Sequence, residues 1–405
     1  MADNASMSVA KAAKKDEFYT QYSDIEAEMN AYVEFNPNVF QDKTILLPCD
    51  DPEWSNFTKY FASNFERFGL KKVISTSYAR GAANEQITMF EMMSPLFDEK
   101  KHEEHGKLFT LTRDADGSGN IDTDDIEFTG YLEGDGDFRS EEVTALRDEA
   151  DIIITNPPFS LFREFLAWIM EGGKDFIIIG NQNAISYKEV FPYIENNQMW
   201  LGYSIHSGDR KFNVPDDYPL NAAGCGTDED GRKYIRIKGV RWFTNIDHGW
   251  RHEKLELMTM AHNLKFHKQL LDKLQNKYGV SEYPYYDNYN ALEIPFTECI
   301  PSDYNEMMGA PLTFLDKYNP EQFEIKGITL GNTVDYPMTC IYKNAIQHNK
   351  NGSTQGGGKV NTRAAILVDK KPVDTVYYTA KNAEGYLLSL FPRILIVPKK
   401  GATDK

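Results

Sequence analysis

The sequence predicts an α/β protein built around parallel strands. Short runs of apolar and β-branched residues alternate with longer helical patterns along the first half of the chain. Strand, helix and strand in that order form the unit from which parallel sheets are built. Two such units are present: Thr44–Leu47, 54–68 and Leu70–Thr76 make the first, and Ile152–Thr155, 160–170 and Asp175–Gly180 make the second.

The first unit has clear local signals. Thr44–Leu47 runs directly into an acidic loop at 50–52, and six aromatic residues over 54–68 recur at helical spacing on one broad face. An amphipathic helix over Ile25–Val33 precedes this unit, and residues 1–15 have the low apolar content of a flexible tail. Loops between a strand and a helix hold nucleotide-like ligands in α/β proteins, although this loop contains no Gly-x-Gly-x-x-Gly.

An acidic insertion over about 98–130 follows the second strand. Within it, Asp114–Asp125 matches a calcium-loop template, with oxygen-bearing side chains at the expected positions and Gly119 at the sixth. The twelfth position is an aspartate where a glutamate is usual, and residues 107–112 alternate like a strand instead of an entering helix. An acidic, solvated loop is the alternative to a calcium site that orders the loop without taking part in chemistry. The candidate ligands are Asp114, Asp116, Ser118, Asn120 and Asp125.

A glycine-rich turn, Gly134-Asp-Gly-Asp-Phe-Arg-Ser, precedes a short helical pattern over Glu141–Glu149. A carboxylate followed by an aromatic ring at a strand end can bind adenine, because the carboxylate accepts a hydrogen from the amino group while the ring packs on the base. Asp137 and Phe138 therefore allow two interpretations, an adenine site or an ordinary glycine turn.

The chain is organised around Asn156-Pro-Pro-Phe159, which ends the Ile152–Thr155 strand and opens the next helix. Open α/β sheets place their ligands at this carboxyl end of the strands. Prolines have no N–H, so the Asn156 side chain and the backbone carbonyls remain as polar groups beside the Phe159 ring. Such a set suits a flat ring that carries an amino group. The plainer interpretation is a rigid turn in which Asn156 bonds its own backbone and Phe159 joins the core.

Further elements are predicted beyond this motif. Trp200–His206 and Lys238–Ile246 have strand patterns and are expected to pair at a sheet edge, with a turn-rich excursion between them that contains both basic and acidic residues. Leucine and methionine spacing over His252–Tyr278 predicts one long helix. Gln347–Thr362 is rich in glycine, asparagine and serine and is predicted to be a mobile cationic loop, whereas Arg393–Val397 is predicted to be a closing strand.

Composition limits the class of protein. The chain has 405 residues, 41% of them hydrophobic, which is enough for a large core in two or three structural units. It contains no apolar run of about 18 residues and no signal-peptide pattern, so we expect a cytoplasmic protein without membrane association. Its 4 cysteines are widely separated, which favours reduced thiols over disulfides or a zinc site.

The net charge of −17 is unevenly distributed. Thirteen acidic residues lie between Asp114 and Glu149, whereas residues 331–405 contain eleven Lys or Arg against five Asp or Glu. Nucleic-acid phosphates require a basic surface, and this local excess of positive charge permits one despite the acidic total.

Taken together, these segments resemble the S-adenosylmethionine-dependent, adenine-specific DNA methyltransferases, and specifically the EcoRI-type family. The resemblance covers most of residues 16–330 and becomes less distinct after that. It rests on six motifs in a fixed order: Asp16-Glu-Phe-Tyr-Thr-Gln, Leu47-Pro-Cys-Asp-Asp-Pro, Gly134-Asp-Gly-Asp-Phe-Arg-Ser, Thr155-Asn-Pro-Pro-Phe-Ser-Leu-Phe-Arg-Glu, Ile179-Gly-Asn-Gln-Asn-Ala-Ile and Phe314-Leu-Asp-Lys-Tyr-Asn-Pro-Glu-Gln-Phe-Glu.

The resemblance implies a Rossmann-like methyltransferase fold, a mostly parallel twisted sheet with helices on both faces, plus a C-terminal target-recognition region. The implied division is a flexible tail over 1–15, a catalytic domain over 16–255 and a DNA-binding, target-recognition region over 256–405. The implied cofactor-binding residues are Phe18, Tyr19 and Thr20 at the methionine end, Pro48, Cys49 and Asp50 in the loop, and Asp137 and Phe138 at the adenine.

The implied reaction is site-specific methylation of the N6 amino group of adenine in duplex DNA. The base must first leave the duplex. Phe159 would then stack on it, while Asn156 Oδ1 and the carbonyl of Pro157, which Pro158 follows in the same turn, would accept the two amino hydrogens. The implied partners are double-stranded DNA and a cognate restriction endonuclease that acts separately, and the chain is expected to be a monomer.

Two alternative functions fit the same motif. The first is methylation of an amino group in RNA or in a protein glutamine. The second is a DNA-binding module with an inactive cofactor site, which would fit the absence of glycines in the 48–52 loop and the calcium-loop match. The basic C-terminal region favours a duplex substrate over RNA or protein.

Overall fold

The computed structural model describes residues 18–48, 50–52, 55–79, 94–206, 208–214, 218, 220, 224–229, 231–330 and 336–399. Cys49 and the predicted tail over 1–15 lie outside the described residues. The chain divides into two compact units. The first contains the chain up to Val190 and again Met199–Gly249, and the second contains Phe191–Gln198 and the chain from Trp250 onward.

The first unit is built on an eight-stranded mixed sheet, which confirms the predicted α/β class. Its four central strands run parallel and are almost wholly buried. Antiparallel strands extend the sheet on both sides, so parallel strands form half of it and not most of it. The spatial order is β5 (Glu127–Tyr131), β4 (Lys107–Leu111), β3 (Lys72–Ser77), β2 (Thr44–Leu47), β6 (Ile152–Thr155), β7 (Asp175–Asn181), β12 (Val240–Thr244) and β8 (Trp200–Leu201).

The register of the parallel strands brings three strand ends together. Leu47 of β2 pairs with Ser75 of β3, and Leu46 pairs with Ile153 of β6. The carboxyl ends of β2, β3 and β6 therefore meet at one edge of the sheet, where α/β proteins bind ligands. The second predicted strand pair also forms, since Phe243 of β12 pairs with Leu201, but β8 is much shorter than the predicted strand over 200–206.

Local signals set the helix boundaries of this unit. The Ser55 side chain accepts hydrogen bonds from the N–H groups of Phe57 and Thr58, which starts the helix after it. The aromatic pattern predicted as one helix over 54–68 is divided at Asn64, and Gly69 in the left-handed region ends the second part. The helices are α1 (Tyr22–Phe35), α2 (Asn56–Ser63), α3 (Phe65–Phe68), α4 (Glu99–Glu104), α5 (Glu141–Glu149) and α6 (Phe162–Glu171).

A second, smaller sheet in this unit contains the N-terminal segment. The excursion between β8 and β12 folds into antiparallel strands, and the segment at 19–20 pairs with their edge. Tyr19 lies opposite Asn213, and Thr20 lies opposite Phe212. The order is β1 (Tyr19–Thr20), β9 (Asp209–Asn213), β11 (Lys233–Lys238) and β10 (Cys225–Thr227).

The second unit contains two further sheets and short helices. One sheet has the order β13 (Leu292–Glu293), β14 (Met308–Pro311), β21 (Arg393–Pro398) and β15 (Phe323–Ile328). The other has the order β17 (Thr354–Gly356), β16 (Ile346–His348), β19 (Tyr377–Thr379), β20 (Tyr386–Ser389) and β18 (Ala365–Val368). The helices are α7 (Phe191–Glu195), α8 (Met260–Phe266), α9 (Lys268–Asp272) and a π-helix over Lys273–Tyr278.

Two predictions for the second unit are wrong. The single helix predicted over His252–Tyr278 is interrupted, because residues 253–259 are not helical and the His267 side chain accepts a hydrogen bond from the N–H of Leu270, which starts a new helix. The loop predicted over Gln347–Thr362 contains the β16–β17 hairpin, whose turn is closed by hydrogen bonds within 349–353. None of the described helices is long and apolar enough to cross a membrane.

Candidate active site

The asparagine–proline–proline–phenylalanine motif lies at the carboxyl end of β6. The chain leaves the sheet after Thr155 and passes through a 3-10 turn over Phe159–Leu161 before α6 begins. Pro157 is buried, whereas Asn156 and Pro158 are half-buried. The predicted strand-to-helix transition is confirmed, with one additional turn between the two elements.

One hydrogen bond fixes the orientation of the Asn156 amide. Asn156 Nδ2 donates to the carbonyl oxygen of Phe18 over 2.6 Å. The other end of the amide, Oδ1, is buried and has no hydrogen-bond partner among the described residues. An unsatisfied buried acceptor costs about 1–3 kcal/mol, so such groups are normally paired with protein, water or a ligand. Asn156 therefore presents an acceptor whose orientation is fixed by the protein and to which a bound molecule can donate a hydrogen bond.

The segment that anchors Asn156 is held in place by two elements. It pairs with β9, and the Asn56 side chain at the start of α2 donates to the carbonyl oxygen of Thr20 over 2.7 Å. Thr20 is buried, and its Oγ1 also lacks a hydrogen-bond partner within the described part of the chain. Two buried, unpaired oxygens thus lie on the two segments that the bond between Asn156 and Phe18 joins.

Asp50 connects the end of β2 to the end of β6. Its Oδ1 accepts a hydrogen bond from the Ser55 hydroxyl over 2.7 Å, and its Oδ2 lies 2.6 Å from the Thr155 hydroxyl. Thr155 Oγ1 is also 2.9 Å from the carbonyl oxygen of Pro48, and the Ser75 hydroxyl donates to the carbonyl oxygen of Asp50. This network shapes the glycine-free loop by tying three strand ends to one buried aspartate.

The glycine-rich turn lies over the end of β3. The N–H of Ala79 donates to the carbonyl oxygen of Asp135 over 2.8 Å. Gly136 has a φ of +87°, and a Cβ at this position would lie 2.4 Å from the carbonyl oxygen of Ser77. Only glycine fits this approach. The turn therefore holds Asp137 at the same sheet edge as the ends of β2 and β6.

Asp137 and Phe138 are both engaged by neighbouring residues. Arg139 donates to Asp137 through Nε over 2.9 Å and Nη2 over 2.6 Å, and this pairing lowers the pKa of the Asp137 carboxyl. Phe138 is only 3% exposed and packs edge-on against Phe165 and Trp168 of α6. The ionised Asp137 keeps acceptor capacity beside Arg139. Phe138 contributes core packing that supports the turn.

Phe159 belongs to an aromatic cluster. Its ring meets the Phe18 ring edge-on with a centroid distance of 5.9 Å, and Phe18 in turn contacts Phe212 and Tyr218. Phe18 is buried, whereas Phe159 is half-buried. An edge contact leaves the faces of a partly exposed ring for stacking with a flat molecule.

The candidate calcium loop is a compact acidic cluster. Carboxylate oxygens of Asp114, Asp116 and Asp125 lie within 4.8 Å of one another. Backbone groups already occupy Asp125: its Oδ1 accepts from the N–H groups of Ala115 and Asp116, and its Oδ2 accepts from that of Asp122. Burial alone would raise the pKa of Asp125, but these three N–H groups lower it.

The other two candidate ligands of this loop bond to each other. Ser118 and Asn120 are exposed, and the Ser118 hydroxyl donates to the backbone carbonyl oxygen of Asn120 over 3.1 Å. Asp114 accepts the N–H groups of Gly117 and Gly119. The loop is therefore folded by its own hydrogen bonds.

Sequence reasoning missed the features that position the site. Ser55, five positions along the chain, and Thr155, 105 positions away, hold Asp50, and β9 holds the N-terminal segment. No local pattern marks Thr155 or β9 as partners, because both are distant in sequence from the groups that they contact. Two basic residues of the excursion that contains β9 form ion pairs within the first unit, Arg210 with Asp24 at 3.9 Å and Lys211 with Asp228 at 3.3 Å.

An asparagine–proline–proline–aromatic turn between a parallel strand and a helix resembles the motif of amino-group methyltransferases. The comparison with protein families agrees, since residues 6–371 match the family of the adenine-specific methyltransferase EcoRI. The chain belongs to this family.

Individual relatives show the same relationship. The chain is 41% identical to the Type II methyltransferase M.EcoRI of Escherichia coli over 326 residues, which are 80% of this chain and 89% of that protein. It is 33% identical to M.MgeORF184P of Mycoplasma genitalium over 318 residues (78% and 84%) and 31% identical to M.MpnI of Mycoplasma pneumoniae over 323 residues (78% and 83%), both Type II methyltransferases.

Proposed function

We propose that this enzyme transfers a methyl group from S-adenosylmethionine to the N6 amino group of an adenine flipped out of a specific site in duplex DNA. Membership of an adenine-specific methyltransferase family supports the reaction, and Type II relatives over most of the chain support a DNA substrate. The observation that carries the residue assignments is the buried Oδ1 of Asn156, which no described residue pairs with.

Asn156 and Pro157 position the amino nitrogen. Asn156 Oδ1 accepts one amino hydrogen, and the Pro157 carbonyl oxygen accepts the other. Two acceptors on the same side draw the nitrogen from planar toward tetrahedral geometry, which directs its lone pair away from them. Because Phe18 holds the Asn156 amide over 2.6 Å, the acceptor does not reorganise during the reaction.

Phe159 supports the flipped base. The adenine N6 is not accessible while the base is stacked, so the enzyme must offset the cost of unstacking, which is a few kcal/mol. Stacking of a base on an aromatic side chain contributes about 1–3 kcal/mol. Phe159 is suited to this role because it is half-buried and fixed at its edge by Phe18. Pro158 lies between the acceptor carbonyl of Pro157 and the stacking ring of Phe159 and keeps this turn rigid.

The residues at this sheet edge fit S-adenosylmethionine, which supplies an electrophilic methyl group when bound. Thr20 offers a buried hydroxyl that has no partner among the described residues, and it lies on the segment assigned to the methionine end, next to Phe18 and Tyr19. Asp137 offers an acceptor for the adenine amino group beside Arg139. Asp50 is a positioning residue, because protein hydroxyls occupy both its carboxylate oxygens.

The proposal is tested by supplying tritiated S-adenosylmethionine with duplex DNA, structured RNA or a glutamine-bearing protein as methyl acceptors. We expect label only in duplex DNA, on adenine N6. Label confined to RNA or protein, or label on cytosine, would overturn the proposed substrate.

A further inference from the structure

A groove in the second unit is lined by three lysines. Its cavity has a volume of about 730 Å³ and is formed by α9, the following π-helix and the loop at 372–375. Lys268, Lys273 and Lys277 face it from the helical side, and Phe296 and Val373 contribute apolar surface. At roughly 1.5 Å per residue, the first and last of these lysines are about 13 Å apart along the helical segment.

The lining of the groove carries more positive than negative charge. Among the described residues of its lining, Asp272 is the one acidic residue, and its Oδ1 accepts a hydrogen bond from the Asn276 side chain over 2.6 Å. None of the three lysines forms an ion pair with another described residue. Unpaired lysines that converge on one groove repel each other, so an anion bound between them relieves that repulsion.

One of the lysines, Lys273, is held in place by contacts with neighbouring residues. Lys273 Nζ donates to the carbonyl oxygen of Pro295 over 3.2 Å and lies 4.6 Å from the centre of the Phe296 ring. Burial and the nearby charge of Arg393 lower the pKa of Lys273. Lys268 and Lys277 are exposed, which leaves their ammonium groups free to follow an extended anionic surface. The groove thus combines one fixed cation with two adaptable ones.

The second unit differs from the first in overall charge. It contains 19 Lys or Arg against 18 Asp or Glu, whereas the first contains 25 against 43. The first unit therefore carries a net charge of −18 and the second +1, so the positive groove lies on the unit that repels a polyanion less.

We propose that this groove binds backbone phosphates of the DNA duplex, with Lys268 and Lys277 each neutralising one phosphate and Lys273 fixing the position between them. This inference rests on the proposed function and extends it to named contacts. Such contacts hold the register of the protein on the duplex and carry no sequence information.

The test compares two double variants of the full chain. Lys268→Gln/Lys277→Gln removes the two exposed lysines and spares Lys273, whose wall contacts support packing. Lys254→Gln/Lys317→Gln is the matched control, because both residues are exposed lysines of the second unit without an ion pair among the described residues and lie outside the groove. The dissociation constant for a duplex oligonucleotide is measured by fluorescence anisotropy over a range of salt concentrations.

The groove variant should lose part of its salt dependence. Each phosphate contact contributes about 0.9 to the slope of log K against log salt, so two lost contacts reduce the slope by about 1.8. When salt is raised from about 50 to about 200 mM, the factor by which DNA binding weakens should therefore be roughly 12-fold smaller for the variant than for wild type. If wild type methylates DNA and the groove variant has the same salt slope as wild type and the control, the groove assignment alone is overturned. A wild type that neither binds nor methylates DNA overturns the proposed function as well.

Discussion

Replacing Asn156 with alanine should slow methyl transfer by about two orders of magnitude without unfolding the protein. The lost interaction is the hydrogen bond from the substrate amino group to Oδ1, which strengthens as positive charge develops on the nitrogen. Hydrogen bonds to charged groups contribute about 1.5–3 kcal/mol, which corresponds to roughly 10- to 150-fold in rate. The substitution also leaves the carbonyl oxygen of Phe18 without its donor, at a cost of about 1–3 kcal/mol in unfolding free energy.

The assay is single-turnover methylation of DNA with saturating tritiated S-adenosylmethionine, accompanied by calorimetry of cofactor binding. We expect the Asn156→Ala rate to fall while cofactor affinity changes only a few-fold. The reasoning is refuted if the variant keeps the wild-type rate, or if rate and cofactor affinity fall in parallel.

Asn64→Ala is the matched control. Asn64 Nδ2 donates to the carbonyl oxygen of Tyr60 over 2.9 Å and its Oδ1 accepts from Arg67 over 3.1 Å, so both ends of this amide are satisfied. Its loss should lower stability but leave the methylation rate unchanged. Asn156→Asp separates the two roles of Asn156, because it keeps the acceptor and removes the donor to Phe18. Its rate should lie between those of wild type and Asn156→Ala.

Glu28 is fully buried, and burial raises its pKa. Stability from Glu28 is therefore complete below its unfolded pKa near 4.5 and is lost as pH rises through the folded value. The difference in unfolding free energy between wild type and Glu28→Gln, measured by urea denaturation at several pH values, should shrink with rising pH, and a growing difference would contradict this. Arg393→Met leaves the buried Glu293 without its partner at 2.8 Å and should lower the unfolding free energy by about 3–5 kcal/mol in the same assay, against less than about 0.5 kcal/mol for Lys254→Met. A loss no larger than that of the control would show that the ion pair is not needed. Because backbone N–H groups hold Asp125, addition of EDTA should leave the methylation rate unchanged, and a rate that requires added calcium would contradict the self-supporting loop.

The central strands could be predicted because their signal is local. Strands buried on both faces are continuous apolar runs, and polar or turn-forming residues mark their ends. Thr44–Leu47 therefore has the predicted bounds, and Ile152–Thr155 ends at the predicted turn. Helical periodicity was less reliable. The leucine spacing over 252–278 continues across the hydrogen bond at His267 that starts a new helix, so the pattern alone did not reveal the break.

The site could be predicted only in part, since its geometry depends on partners that are remote in sequence. The motif identified Asn156 and Phe159, but the bond that aims Asn156 comes from Phe18, 138 positions away. The family resemblance implied that Asp50 lies in the cofactor loop. Its hydrogen bond with Thr155 spans 105 positions, and only the folded chain shows that the carboxylate is already occupied.

The most direct test of the role of Asn156 in adenine methylation is long-read sequencing of modified bases in DNA from cells that express this chain. For the wild type, we predict N6-methyladenine at one defined sequence motif on nearly every copy, and for Asn156→Ala, expressed to the same level, a clearly lower modified fraction of that motif. Modification of cytosine, the absence of modified bases with wild type, or an unchanged adenine signal with Asn156→Ala would contradict the assignment.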